Sequence, residues 1–326
     1  MKAVLCKTYG PPETLVVEDV PSPVPGPGEV VISVRASGVN FPDVLIIQNK
    51  YQMKPPLPFS PGSEVAGVIQ SVGEGVTHVK PGDEVLAFTG YGGYAEEVKA
   101  DASRLLSIPA GMTFATAAAF GLTYATSDHA LRDRGELRAG ETLLVLGAAG
   151  GVGLAAIEIG KALGARVIAC ASMDDKLAVC RQHGADATIN YVSEDLRDRI
   201  RALTHGKGAD VIYDPVGGPY TEPALRSIAW RGRLLVVGFA AGDIPKIPLN
   251  LPLLKGCSIV GVFWGEFARR EPARFADSMR QLGEWHRDGR ITPHISATFP
   301  LERAADALTQ MVERKVIGKV VLITGS

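Results

Sequence analysis

The sequence predicts an α/β protein of two domains, a β-rich one followed by a parallel sheet covered by helices on both faces. Three observations predict it. A chain of 326 residues has room for about two domains and a sizeable core. The first hundred or so residues carry short apolar runs of period two, separated by Pro/Gly-rich connectors. From about residue 115, apolar runs rich in β-branched residues alternate with segments of helical period.

The elements follow in order. "KAVLCKT" and "TLVVEDV" are short strands, and "PSPVPGPGE" is a connector. "VVISVRASGVN" alternates with period two and is the best strand of the region. "FPDVLIIQNKY" is a short helix with Asp43 in its first turn. "EVAGVIQSVGEGV" and "VKPGDEVLAF" are strands around glycine turns. "FATAAAFGLTYATSDHALRDRG" is helical. Then strands "TLLVLG", "RVIACA", "ATINY", "ADVIYDPVGG", "GRLLVVGFA" and "CSIVGVFWG" are expected. They are interleaved with helices "GVGLAAIEIGKALG", "DDKLAVCRQHG", "SEDLRDRIRALTHG" and "YTEPALRSIA". The tail carries helices from "PARFADSMRQLGEWHRDG" and a final strand "KVVLI".

Composition narrows the function classes. A formal net charge of −1 gives no electrostatic reason to bind nucleic acid or a membrane surface. "MKAVLCKTYGPPETL" is too short in apolar residues for a signal peptide, and the uncharged stretch 105–127 is broken by Pro109, Gly111 and Gly121. A cytoplasmic location is therefore expected. Cys6, Cys170, Cys180 and Cys257 form no CxxC pair and read as reduced core thiols. No HExxH, HxxxH or GxSxG motif occurs, so neither a zincin nor that type of serine hydrolase has support.

One stretch carries chemistry: "LLVLGAAGGVGLAAIEIGKALGARVIACASMDDK". A strand leads into a cluster of small residues, a helix follows, and a second strand comes about twenty residues later. Gly150, Gly151 and Gly153 lack Cβ, so backbone N–H groups can approach a pyrophosphate at the positive end of the helix. The pattern departs from GxGxxG: the first position is Ala148, with Gly147 one place early. The second strand ends Cys170-Ala171-Ser172, without the carboxylate that accepts from an NAD ribose. Ser172 can donate to a 2′-phosphate and Lys176 can pair with it, whereas Asp174 and Asp175 cap the next helix. NADPH is therefore expected over NADH.

These residues resemble the fingerprint of the zeta-crystallin-like, zinc-free quinone oxidoreductases of the medium-chain dehydrogenase/reductase superfamily. Gly140, Glu141, Leu143, Ala148, Ala149, Gly150, Gly151, Gly153 and Lys161 fit that fingerprint, and Glu158 stands where Gln is usual, read here as a variation on the helix surface. The resemblance extends along the chain through "PGPGEVVISVRASGVNFPD" and "PGSEVAGVIQSVGEGVTHVKPGDEV". It implies a GroES-like β-rich catalytic domain over 1–122 and 265–326, a Rossmann NADPH-binding domain over 123–264, and an active site in the cleft. Three positions that hold zinc ligands in zinc-dependent relatives correspond here to Asn40, Ser63 and Ala119, and the lobe for a structural zinc is missing; no metal is expected.

The resemblance also implies a site. Asn40, Asp43 and Tyr51 are its catalytic candidates, with Tyr51 a phenol near its ordinary pKa of about 10. The cofactor set is Asn40, Thr123, Ala149, Gly150, Gly151, Val152, Gly153, Ser172, Lys176, Tyr191, Gly238, Phe239, Phe263 and Lys319. Without a Lewis acid, a conjugated acceptor such as a quinone or an enone is the favoured substrate, because hydride charge delocalises onto oxygen. Reduction of quinones leads. Reduction of unsaturated ketones, aldehydes or enoyl thioesters is the alternative, with Arg269 and Arg270 the candidates for an acyl-CoA patch. A non-catalytic NADPH-binding role is a third. The resemblance further implies a homodimer through the edge strand 257–263.

Overall fold

The computed structural model describes residues 1–325. It divides into two units, residues 1–122 with 294–325, and residues 123–293.

The first unit contains β1 (Lys2–Leu5), β2 (Val16–Asp19), β3 (Glu29–Val39), α1 (Phe41–Ile47), β4 (Glu64–Val72), β5 (Glu84–Phe88), β6 (Glu97–Asp101), β7 (Leu106–Ser107) and the start of α2 (Phe114–Asp128). Its sheet runs β7-β5-β4-β3, and from β3 through two C-terminal strands described below. β3 is long enough to serve two neighbours on one edge: Glu29–Ser33 pair with β6, and Ala36–Val39 pair with a chain-terminal strand. Its alternating apolar residues Val30, Ile32 and Val34 are buried with Val65, Ile69 and Val85, as period two requires of a half-buried strand. Gly38 has to be glycine: a Cβ there would lie 2.0 Å from the Ala118 carbonyl oxygen, so β3 and α2 touch through backbone.

The second unit contains β8 (Thr142–Val145), α3 (Gly151–Ala162), β9 (Arg166–Ala171), α4 (Asp174–Gln182), β10 (Ala187–Asn190), α5 (Leu196–Leu203), β11 (Ala209–Asp214), α6 (Thr221–Arg226), β12 (Ile228–Val236), α7 (Asn250–Lys255), β13 (Ser258–Gly261), α8 (Trp264–Arg270) and α9 (Pro272–Arg287). Its six strands lie β10-β9-β8-β11-β12-β13 and are parallel at every pairing. Chain order reverses between β8 and β11, which is where open α/β sheets gather ligand groups. Leu143, Leu144 and Val145 of β8 are fully buried, as a strand covered on both faces must be.

The chain then returns to the first unit as β14 (Ile295–Pro300), α10 (Ala304–Val312) and β15 (Lys319–Ile323), with β15 antiparallel to β3. The fold class is thus a GroES-like β-rich unit plus a Rossmann-type parallel sheet.

Three expectations change. Residues 265–293 group with the second unit, not with the first. The reason is local packing: Phe267 of α8 stacks on His129 at 4.0 Å, and Ser278 of α9 donates to Asp128 at 2.5 Å. The strand expected over "CSIVGVFWG" stops at Gly261, because Trp264 opens α8 with Glu266 in its first turn. The helix "YTEPALRSIA" ends at Arg226, and Ile228 and Ala229 already belong to β12. No described helix is long and apolar enough to cross a membrane.

Candidate active site

In the second unit the glycine cluster forms a turn whose shape needs missing side chains. Gly147 has φ +57, the left-handed region, so it makes the tight turn after β8 although it stands one place early in the sequence pattern. A Cβ on Gly153 would meet the Gly147 oxygen at 2.5 Å and the Ala148 oxygen at 2.6 Å, so the helix packs on the turn through backbone alone. Gly150 is the N-cap of α3. Behind it, the N–H groups of Gly151, Val152 and Gly153 have no carbonyl four residues back to bond. They form a ready anion site, reinforced by the helix dipole. Ala149, within the turn, is buried.

The other expected cofactor residues of this unit, Thr123 aside, follow the carboxyl ends of neighbouring strands. Ser172 follows β9 directly, and Lys176 lies in the first turn of α4. Tyr191 follows β10, donates its N–H to the Ala171 carbonyl and lies 4.3 Å from the Tyr220 ring. Gly238 and the exposed Phe239 follow β12. Phe263 follows β13 and is 60% exposed, and Thr123 is buried on α2. Asp174 and Asp175 do not cap α4, whose N-cap is Met173. Asp174 accepts from Asn190 Nδ2 at 2.9 Å, and Asp175 from the Lys176 N–H at 2.7 Å.

In the first unit, Asn40 and Asp43 meet in a buried polar cluster. Asn40 is the N-cap of α1, and its backbone N–H donates to Asp43 Oδ2 at 2.8 Å, one arm of a capping box. The Asn40 amide donates to the Gly38 carbonyl at 3.2 Å and to Glu64 Oε2 at 3.1 Å. Its oxygen accepts from Lys319 Nζ at 2.6 Å, and Lys319 reaches the Val39 carbonyl at 3.1 Å and Glu64 at 3.4 Å. Glu64 Oε1 accepts from the Leu122 N–H at 2.7 Å. With both amide hydrogens and one lone pair engaged, Asn40 is held in one orientation.

Asp43 also accepts from Tyr94 Oη at 3.0 Å. Burial pushes the Asp43 carboxyl up to about 6, against the hydrogen bonds from Asn40 and Tyr94 that favour its charge. Tyr94 is raised well above the usual phenol range, by burial first and then by the Asp43 charge. Tyr51 is half-buried against the neighbouring core, and burial with the Asp43 charge raises it as well. That corrects the expectation of an unperturbed phenol and leaves Tyr51 firmly protonated at neutral pH.

Two further expectations fall on buried atoms. At the corresponding zinc positions, Ala119 is fully buried and the Ser63 hydroxyl is buried with no hydrogen-bond partner among the described residues. No group of three or more His, Cys, Asp or Glu among the described residues is arranged to hold a metal ion. Glu158 is not on a helix surface: it is 8% exposed and accepts from Tyr124, His183 and the Thr292 N–H. Sequence reasoning missed Glu64 and Tyr94. The available signal for Glu64 was an acid opening an apolar strand, "EVAGVI".

Comparison with known proteins agrees with this fold. Residues 26–110 match the alcohol dehydrogenase GroES-like domain family, and residues 151–282 match the zinc-binding dehydrogenase family. The chain is 41% identical over 327 residues to quinone oxidoreductase-like protein 2 homolog of Nematostella vectensis, covering 99% of this chain and 89% of that one. It is 37% identical to a quinone oxidoreductase of Pseudomonas aeruginosa, covering 99% of both. The crystal structure of Escherichia coli quinone oxidoreductase complexed with NADPH superposes with a TM-score of 0.94 at 30% identity, covering 99% of this chain and 100% of that one. A strand-turn-helix built on Gly147 and Gly153, a GroES-like unit and end-to-end similarity together make this chain a member of the quinone oxidoreductase family, within the medium-chain dehydrogenase/reductase superfamily of oxidoreductases.

Proposed function

We propose that this protein reduces quinones with NADPH by hydride transfer, without zinc. One observation supports the reading above the others: where zinc ligands would be, this chain has a buried Asn40 locked between Glu64 and Lys319. An amide, a hydroxyl and a methyl at Asn40, Ser63 and Ala119 offer poor zinc ligation.

The bound dinucleotide would supply hydride from nicotinamide C4. The chain's residues bind and orient. Backbone N–H groups of Gly151, Val152 and Gly153 hold the pyrophosphate, over the turn made by Ala149 and Gly150. Ser172 donates to the 2′-phosphate and Lys176 pairs with it, with Tyr191 beside them. Thr123 takes the nicotinamide ribose, and Gly238, Phe239 and Phe263 flank the nicotinamide. In the first unit, Asn40, held by Glu64 and Lys319, keeps one amide-oxygen lone pair with which to accept from a ribose hydroxyl. Tyr51 stays protonated and serves as proton source to the reduced acceptor, with Asp43 ordering its neighbours. The balance is quinone, NADPH and one proton going to hydroquinone and NADP⁺.

Arg269 and Arg270 do not favour an acyl-CoA substrate. Both bond Glu266, at 2.8 and 2.5 Å, and that pair of guanidinium groups draws the Glu266 carboxyl down to about 2. Homodimerisation belongs to the same reading. β13 is a sheet edge, and Trp230, Leu249, Leu253, Leu254 and Phe263 are each more than half exposed in the same unit. A cytoplasmic location suits four free cysteines.

The test is NADPH absorbance decay on adding a quinone to purified protein, with a metal chelator present and NADH in parallel. Decay with NADPH, weak with NADH and unmoved by chelator, is the expected result. No decay with quinones but decay with enones or enoyl thioesters moves the substrate to the alternative class. NADPH binding without turnover of either class would leave the non-catalytic role.

A further inference from the structure

Glu158 ties together three helices, each of which carries one group for the dinucleotide in the reading above. It sits in the middle of α3, the helix whose first turn forms the phosphate cradle. Its Oε2 accepts from the Tyr124 hydroxyl at 2.5 Å; Tyr124 follows Thr123 on α2. Its Oε1 meets His183 Nδ1 at 2.7 Å; His183 is the C-cap of α4, the helix that carries Lys176. Oε2 also accepts from the Thr292 N–H at 3.0 Å. Glu158 and His183 are 9% and 13% exposed at their side chains, so the carboxylate works in a dry site where its hydrogen bonds are strong. Burying a carboxylate is costly unless its lone pairs are filled, and here three partners from three separate segments fill them.

We propose that Glu158 is a positioning residue for the dinucleotide: it holds Thr123, the glycine turn and Lys176 in one register by binding α2 and α4 to α3. The proposal rests on the NADPH reading. It also has a competitor on the same helix pair, because Ser127 on α2 donates to the Val152 carbonyl at 2.8 Å, at the cofactor end of α3.

The experiment is a fluorescence titration of purified protein with NADPH, needing no turnover, on wild type, Glu158→Gln and Glu158→Ala, with thermal melts alongside. The amide of Glu158→Gln still accepts from Tyr124 or Thr292 and can donate to a neutral His183, so affinity within about twofold of wild type is expected. Glu158→Ala removes every arm, and a dissociation constant about tenfold higher is expected, with kcat at saturating NADPH within about twofold. A residue that only stabilises the fold would lower the melting temperature and leave the affinity of the folded protein alone. Should Glu158→Ala not fold, Tyr124→Phe and His183→Ala each remove one arm, and each is expected to weaken NADPH by about threefold. Wild-type affinity in every folded variant overturns the proposal. Failure of the wild-type protein to bind NADPH overturns the cofactor reading, and the proposal with it.

Discussion

The two units build their candidate sites by opposite means. In the second, the working atoms are backbone N–H groups, placed by the absence of side chains: Gly153 fits because a Cβ would strike two carbonyl oxygens within 2.6 Å. In the first, the working atoms are side chains placed by one another. Asn40 is oriented by Glu64 and Lys319, and Asp43 by Asn40 and Tyr94. A site made of space fails when space is filled. A site made of mutual satisfaction fails when any one member leaves, since the rest stay buried and lose a partner. The first kind tolerates change at all but a few positions. The second couples every member to the others.

The strongest break in that contrast is Lys319→Met. It strands the Glu64 carboxylate, which has no solvent exposure, and destabilisation of about 3–5 kcal/mol is expected in urea unfolding. Adding Glu64→Gln to the same chain should recover part of it: the amide oxygen still accepts from Leu122 and no buried charge is left without a counter-charge, although the new NH2 then faces the Asn40 NH2. A double variant as unstable as the single one would show that the members do not depend on each other's charge.

Asp43 comes next. Its carboxyl titrates at about 6 in the folded chain against an ordinary 3.8, so the folded state holds its proton more tightly than the unfolded chain does. Stability from this group is therefore full below pH 3.8 and is lost as pH rises through about 6. The loss amounts to about 3 kcal/mol. Measured across pH 4 to 7, the stability of Asp43→Asn relative to wild type should improve with rising pH. A constant difference over that range would mean that burial does not govern Asp43.

How much of this could be read from the chain follows the same divide. The glycine turn was legible because its constraints are local: strand, small residues and helix lie within some twenty positions, and even the early Gly147 declares itself. Of the polar cluster, Asn40 and Asp43, three residues apart, and Lys319 were named from the sequence, but Lys319 as a cofactor residue and not as the partner of Asn40. Glu64 meets Asn40 across 24 positions, Tyr94 meets Asp43 across 51, and Lys319 meets Glu64 across 255. Such pairings come from sheet topology, which no local pattern encodes. Glu158 was misread for a different reason. An acid in a helix is ordinarily on its wet face, but "GVGLAAIEIG" offers no polar stripe to define one, and residues 153–160 are all buried. The tail helices went to the wrong unit because their anchors, His129 and Asp128, lie about 140 residues upstream.

In the glycine turn the expected effects are smaller and more selective. Gly153→Ala forces a methyl against two backbone oxygens that have no rotamer to change, so about 1–3 kcal/mol of stability should be lost together with NADPH affinity. Gly150→Ala is the sharper test. Gly150 has φ −77, which any residue adopts, and a Cβ there lies 3.5 Å from the Gly147 oxygen, ordinary contact distance. The fold should barely notice it, with a change in stability of about 0.5 kcal/mol or less. The added methyl nevertheless stands at the N-cap, where the proposed pyrophosphate must approach backbone. NADPH titration of this variant should show weakened binding at unchanged stability. If affinity and stability both hold, the N–H groups at this helix end do not carry the phosphate. If both fall, the turn has less room than its backbone geometry gives it.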